Sequence, residues 1–229
     1  MIVSEKPRIE LLNVDCMEYM ATVPDKYFDL AVVDVPYGIS VDEWMAKDSN
    51  TQRGKSATKR GEYDAKQWDK VAPNNQYFDE LIRVSKNQII WGANHFISRM
   101  PFDSSCWLVW DKENGENGYA DCELAWTSFS KAVRMVKYKW HGMLQKDMKN
   151  KEERIHPTQK PVALYRWILH NYAKEGDKII DTHGGSMSSA IACHQMGFDL
   201  TLCELDRDYY DAGVKRFKEQ TMQQSLFKP

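Results

Sequence analysis

The run KIIDTHGGSMSSAIACHQMGFDLTLCELD, residues 178–206, constrains the fold of this chain more than any other stretch. Residues 178–181 are a short β-branched segment, 183–186 a glycine turn, 188–196 helical in composition, and 198–203 a second apolar strand followed by Glu204. Strand, turn, helix and strand in so few residues make one βαβ unit, which calls for a parallel sheet. Glycines let a ligand approach the backbone, the helix start favours an anionic group, and an acid ending the next strand can bind two ribose hydroxyls. The spacing departs from the dinucleotide GxGxxG pattern, so a nicotinamide cofactor fits poorly. Taken alone the unit suits a nucleotide or S-adenosylmethionine, and equally a turn that only joins a buried strand to a helix.

A second stretch breaks that tie. Residues 28–40, FDLAVVDVPYGIS, are an apolar run of the kind a buried parallel strand requires, ending in Asp34, Val35, Pro36 and Tyr37. An acid at the carboxyl end of such a strand lies where open α/β sheets hold their ligands. A third segment, HPTQKP at 156–161, precedes a helical stretch over 162–173. In the order DVPY, HPTQKP, glycine turn, the three resemble the DNA amino-methyltransferases that modify exocyclic nitrogens, in the permuted arrangement of that family's β class. The resemblance runs from about Ile9 to Phe217. It implies an α/β fold with a doubly wound, mostly parallel, Rossmann-like sheet in circularly permuted motif order, and one domain over residues 1–229.

The resemblance also implies roles. An adenine or cytosine amine is a weak nucleophile, because its lone pair is delocalised into the ring. In the family two acceptors for the amine hydrogens correct this: here the Asp34 carboxylate and the Val35 carbonyl, with Pro36 restraining the turn and Tyr37 stacking on the extruded base. The family usually carries Pro at the position of Val35, but the acting atom is a main-chain oxygen. S-adenosylmethionine would be held by Asp15, Thr158, Lys160, Asp181, His183, Gly185, Ser186 and Glu204. Asp15 suits a helix N-cap equally well. His183 stands where Phe is usual and Met187 where Gly is common, which bears on cofactor affinity more than on catalysis. Methylation of adenine N6 is the expected reaction, since in this family Ser in place of the acid more often accompanies cytosine N4. Cytosine N4, an RNA substrate, and a catalytically weak DNA-binding module are the alternatives.

Composition narrows the setting. With 229 residues, 42% of them hydrophobic, the chain can bury a core of its own, but two full domains would be cramped. A formal net charge of -2 gives no general attraction for polyanions, so contacts to DNA must come from local clusters. One is Arg53, Lys55, Lys59 and Arg60 within a polar insert at about 41–70; the other includes Lys137 and Lys139 in a basic, aromatic stretch over 130–141. The first also reads as a solvated loop, the second as an edge strand guarded by lysines. Any base-reading region must come from the insert and from about 130–155. Five cysteines without CxxC spacing argue against disulfides or zinc, and the absence of a signal peptide or long apolar run points to a soluble cytoplasmic protein. Over the tail, 219–229, the segment Gln223 to Phe227 resembles the short peptide by which bacterial proteins bind the replication sliding clamp, although a frayed end accounts for it too. The family also includes homodimers.

Overall fold

Residues 28–34 are buried on both sides: Leu30 and Val32 enter one core, and Phe28, Ala31 and Val33 enter another. That is the condition of a central strand in a sheet covered on two faces by helices. The computed structural model describes residues 6–40, 69–115, 120–141 and 144–225. In chain order its strands are β1 (Ile9–Leu12), β2 (Phe28–Asp34), β3 (Ser85–Trp91), β4 (Trp107–Asp111), β5 (Cys122–Thr127), β6 (Arg134–Lys137), β7 (Trp140–His141), β8 (Leu144–Gln145), β9 (Lys178–Asp181) and β10 (Asp199–Cys203). The helices are α1 (Cys16–Ala21), α2 (Asn75–Val84), α3 (Val162–Tyr172), α4 (Ser188–Met196) and α5 (Arg207–Ser225).

Eight strands form one sheet in the order β1-β10-β9-β2-β3-β5-β4-β6, while β7 and β8 make a separate ribbon. Within the sheet β5 runs against its neighbours and the other pairings are parallel. Leaving β9 the chain passes through α4 to β10 on one side; leaving β2 it passes through α2 to β3 on the other. Adjacent strands that send their connections in opposite directions define a topological switch point, and the crevice at their carboxyl ends is where such sheets bind ligands. Asp34 ends β2 and Asp181 ends β9. The expected doubly wound, mostly parallel sheet is therefore present, with the strand that ends in Asp34 preceding the strand that ends in Asp181 in the chain.

Some boundaries differ from expectation for local reasons. Strand β1 stops at Leu12 because the Asn13 amide donates to the Glu204 and Leu205 carbonyls at 2.8 and 3.1 Å. Strand β3 begins four residues earlier than its apolar part, at Ser85, because β2 supplies a partner and buried Gln88 donates to the Ser85 carbonyl and hydroxyl at 2.9 and 3.0 Å. The basic stretch divides into β6, at the sheet edge, and β7, where the buried Trp140 indole donates to the Gln159 carbonyl at 2.8 Å. Helix α5 continues to Ser225, into the segment expected to be a tail; Leu226 and Phe227 lie outside the described residues, as do Arg53, Lys55, Lys59 and Arg60. Among the described residues, no helix is long and apolar enough to cross a membrane.

One buried ion pair fixes the last helix against the crevice. Arg216 of α5 donates to the Ser186 carbonyl at 2.5 Å and to Glu152 at 2.6 Å, and Glu152 accepts from the Val162 amide at the start of α3 at 3.1 Å. Removing one partner leaves the other charge desolvated and unpaired. Arg216→Ala is expected to cost about 3 kcal/mol, with the Arg216→Ala/Glu152→Gln double variant recovering part of the loss, as read by urea denaturation.

Candidate active site

The chain turns sharply after β2. Carboxylate Asp69 accepts the Tyr37 and Gly38 amides at 2.6 and 3.0 Å, and its carbonyl accepts the Ser40 amide at 3.0 Å. The DVPYG turn is thus clamped from the far end of the insert. Val35 is buried, with 2% of its surface exposed. The Tyr37 ring stacks on His95, with centroids 5.1 Å apart and planes at 18°. Gly92, at φ +73°, lies so close that a Cβ there would sit 2.0 Å from Tyr37 Cε1, so only glycine leaves room for the ring.

Asp34 meets a buried lysine. Lys160 Nζ is 2.5 Å from Asp34 Oδ1, 2.9 Å from Glu123 Oε2 and 3.1 Å from the Tyr37 hydroxyl, so its three protons have three acceptors. Tyr37 in turn donates to Asp34 Oδ1 at 2.9 Å. Lys112 Nζ holds the other Glu123 oxygen at 2.5 Å. Lys160 also lies 5.5 Å from both the Tyr37 and Trp91 ring centroids. Burial works against the Lys160 charge, but Asp34 and Glu123 outweigh it and raise its pKa. Burial works against ionised Glu123 as well, yet Lys160 and Lys112 hold its pKa down at about 2. Asp34 is raised, by burial first and by Glu123, with Lys160 opposing. HPTQKP is expected to line the cofactor; in this structure its lysine meets Asp34, Glu123 and Tyr37.

Across the switch point, the glycine turn packs tightly. A Cβ on Gly184 would lie 2.2 Å from a Leu202 methyl, and Gly185 takes φ +46°. Met187 adopts φ 61°, a left-handed conformation costly for a residue with a side chain, and is fully buried as the N-cap of α4. This is the physical consequence of its standing where glycine is common. Glu204 accepts the Gly185 amide at 2.7 Å and the Asp206 amide at 2.8 Å, so it already spans the turn. Asp181 is sealed beneath, accepting the Ser189 hydroxyl at 2.6 Å and the His183 amide at 3.1 Å; its role in this structure is to shape the turn. Ser186 likewise faces inward, with its hydroxyl 3.0 Å from that of Ser188.

A buried relay fixes the His183 ring. The Tyr77 hydroxyl is 2.6 Å from Thr182 Oγ1, which is 2.9 Å from His183 Nδ1. Asp15 caps α1, accepting the Met17 amide at 2.7 Å, and Thr158 bonds His156 Nδ1 through its hydroxyl at 3.2 Å. Both therefore have local work whether or not they meet a ligand. Lys137 is exposed and 3.6 Å from Asp111 Oδ2, and Lys139 is exposed on the same edge. Sequence reasoning missed Glu123, Lys112 and Asp69. Glu123 left a signal, a carboxylate in the otherwise apolar strand β5; Asp69, distant in sequence from the turn that it clamps, left none.

Two buried groups beneath the turn oppose each other in pH dependence. Burial pushes Asp181 up to about 7 from 3.8, so its stabilisation is complete below 3.8 and is lost as pH rises to about 7. Burial lowers His183 to about 4 from 6.5, so its contribution is present above 6.5 and is lost as pH falls to about 4. Between these limits the two offset. Urea denaturation of Asp181→Asn should show stability falling on acidification over this range, and His183→Phe should show it falling as pH rises.

Residues 104–215, which include HPTQKP and the glycine turn, match the family model described as DNA methylase of the N6/N4 type. Type II methyltransferase M2.MboI of Moraxella bovis is 22% identical over 253 residues, covering 95% of this chain and 90% of that protein. Type II methyltransferase M.HinfI of Haemophilus influenzae is also 22% identical, covering 91% and 68%. Among solved structures, TTHA0409 of Thermus thermophilus complexed with S-adenosyl-L-methionine superposes with a TM-score of 0.56 at 16% identity, covering 93% and 94% of the two chains. The cytosine-N4-specific PvuII DNA methyltransferase superposes at 0.58 with 10% identity, covering 95% and 91%. These two likenesses show the same fold. The family match over residues 104–215 and the likeness to type II methyltransferases along most of the chain support a DNA amino-methyltransferase of the N6/N4 class.

Proposed function

We propose that this methyltransferase transfers a methyl group from S-adenosylmethionine to the N6 amine of adenine in DNA. The observation that carries the reading is Asp34 at the switch point: one carboxylate oxygen is tied down by Lys160 and Tyr37, and no donor among the described residues meets the other. The acid in place of Ser favours adenine over cytosine.

The tight backbone at Gly184 and Gly185, together with Glu204 beside it, fits a nucleoside-bearing cofactor approaching the main chain. Gly185, Ser186, His183 and Glu204 would hold it, with Asp15 and Thr158 at the margins and Asp181 shaping the turn from beneath. When bound, S-adenosylmethionine supplies an electrophilic methyl group on a sulfonium. The chain's own residues prepare the nucleophile. Asp34 Oδ2 and the Val35 carbonyl accept the two amine hydrogens, turning the nitrogen lone pair out of conjugation and towards the methyl group. Asp34 would also take up the proton that the amine gives up on methylation, along the same hydrogen bond. Positioning is the main catalytic device.

The base must first leave the stack, at about a few kcal/mol, and stacking on Tyr37 returns roughly 1–3 kcal/mol. Lys137, Lys139, Arg53, Lys55, Lys59 and Arg60 would contact phosphates. Mass spectrometry of nucleosides from DNA incubated with labelled cofactor should find labelled N6-methyladenine, reduced at least ~100-fold by Asp34→Ala. Labelled N4-methylcytosine would keep the mechanism and overturn the base. Label in RNA alone would overturn DNA as the substrate, and label in neither would overturn the reading.

A further inference from the structure

The proposed chemistry leaves Glu123 and Lys112 without a task, although together they form half of a four-charge, partly buried cluster around Lys160. Glu123 lies on β5, Asp34 at the end of β2, Lys160 in the segment before α3, and Lys112 just after β4. Lys160 is 96% buried and its ammonium is divided between two carboxylates, at 2.5 and 2.9 Å. Had Asp34 been its sole anionic partner, the ammonium would neutralise that carboxylate and weaken it as an acceptor. The transfer reaction needs the opposite, an ionised Asp34 with one strongly accepting oxygen facing the crevice.

We infer that Glu123, backed by Lys112, is a positioning residue that draws Lys160 partly away from Asp34, preserving the acceptor strength of Asp34 while fixing which of its oxygens faces the amine. The inference rests on the reading of Asp34 as the group that accepts the amine hydrogens. Three features support it. The two carboxylates and two lysines sum to no net charge, so the cluster can be buried without a strong field of its own. Lys112 occupies the Glu123 oxygen that Lys160 does not touch, and thereby holds Glu123 anionic. Both Lys160 and Tyr37 bind the same Asp34 oxygen, Oδ1, so the side chain cannot rotate without breaking two hydrogen bonds.

The groups that face Asp34 come from every side of it. Tyr37 lies on its own turn, Lys160 approaches from the segment before α3, Glu123 from β5 with Lys112 behind, Asp181 from β9 and Tyr165 from α3. Among the neighbouring groups that oppose ionisation of Asp34, Glu123 ranks first. Replacing it should therefore make Asp34 more acidic, since the whole Lys160 charge then falls on one carboxylate.

The test follows the Asp34 carboxyl carbon by NMR in protein labelled at aspartate, with the resonance assigned through Asp34→Asn. In Glu123→Gln the titration midpoint of Asp34 should fall by about one pH unit, and in Glu123→Asp, which keeps the charge, it should stay near that of the unaltered protein. In parallel, the acid limb of the kcat/KM profile for methyl transfer should move down with the midpoint, while kcat drops ~10-fold in Glu123→Gln and less in Glu123→Asp. An unchanged or raised midpoint in Glu123→Gln would overturn the inference and leave Glu123 a packing residue. A lowered midpoint in a protein that methylates no nucleic acid would uphold the charge sharing and defeat the transfer reading instead, so the two failures are distinguishable.

Discussion

A lysine ammonium 96% buried cannot exist without acceptors, and Lys160 has three of them, drawn from distant parts of the chain. That requirement joins the end of β2, the face of β5 and the HPTQKP segment at one point. Each is useless to the others unless all arrive together. Removing one carboxylate from such a cluster leaves an uncompensated charge, which typically costs about 3–5 kcal/mol. The cluster therefore acts as a register pin for the site as much as a chemical device. It also joins parts of the chain far apart in sequence, from β2 early in the chain to the segment before α3 late in it.

On the other side of the switch point the constraint is one of backbone. Gly184 and Gly185 allow close approach, Glu204 bridges from β10 to the Gly185 amide, and Arg216 grips the Ser186 carbonyl from α5. Met187 is held in a left-handed conformation by its complete burial, which shows that packing there outweighs a backbone cost of order 1–3 kcal/mol. The His183 ring, fixed through Thr182 and Tyr77, is neutral at physiological pH because burial lowers its pKa to about 4. A neutral ring in place of a phenyl group keeps the site uncharged at that position.

Much of this was legible in the sequence, because strands buried on both faces leave apolar runs and glycine turns leave their own mark. The βαβ unit at 178–206, the strand ending in Asp34 and the helix over 162–172 lie where composition puts them. What stayed hidden were relations between segments. Strand β3 starts with polar Ser85 and Gln88, whose mutual hydrogen bonds make them suitable for a core, so periodicity alone places its start too late. Lys160 reads as a cofactor residue because its neighbours in sequence do, whereas its long side chain reaches Asp34. Asp69 sits at the far end of an insert that separates it from the turn it clamps, and no local pattern could connect them.

The central claim is that a target amine meets Asp34 on the oxygen that Lys160 and Tyr37 leave open. A crystal structure with duplex DNA and the demethylated cofactor product tests it most directly. The account predicts an adenine extruded into the crevice, its N6 within hydrogen-bond distance of Asp34 Oδ2 and the Val35 carbonyl, with the base against Tyr37 and Lys160 still touching both Asp34 Oδ1 and Glu123. An extruded base held elsewhere, or an Asp34 that still faces no base, would contradict it.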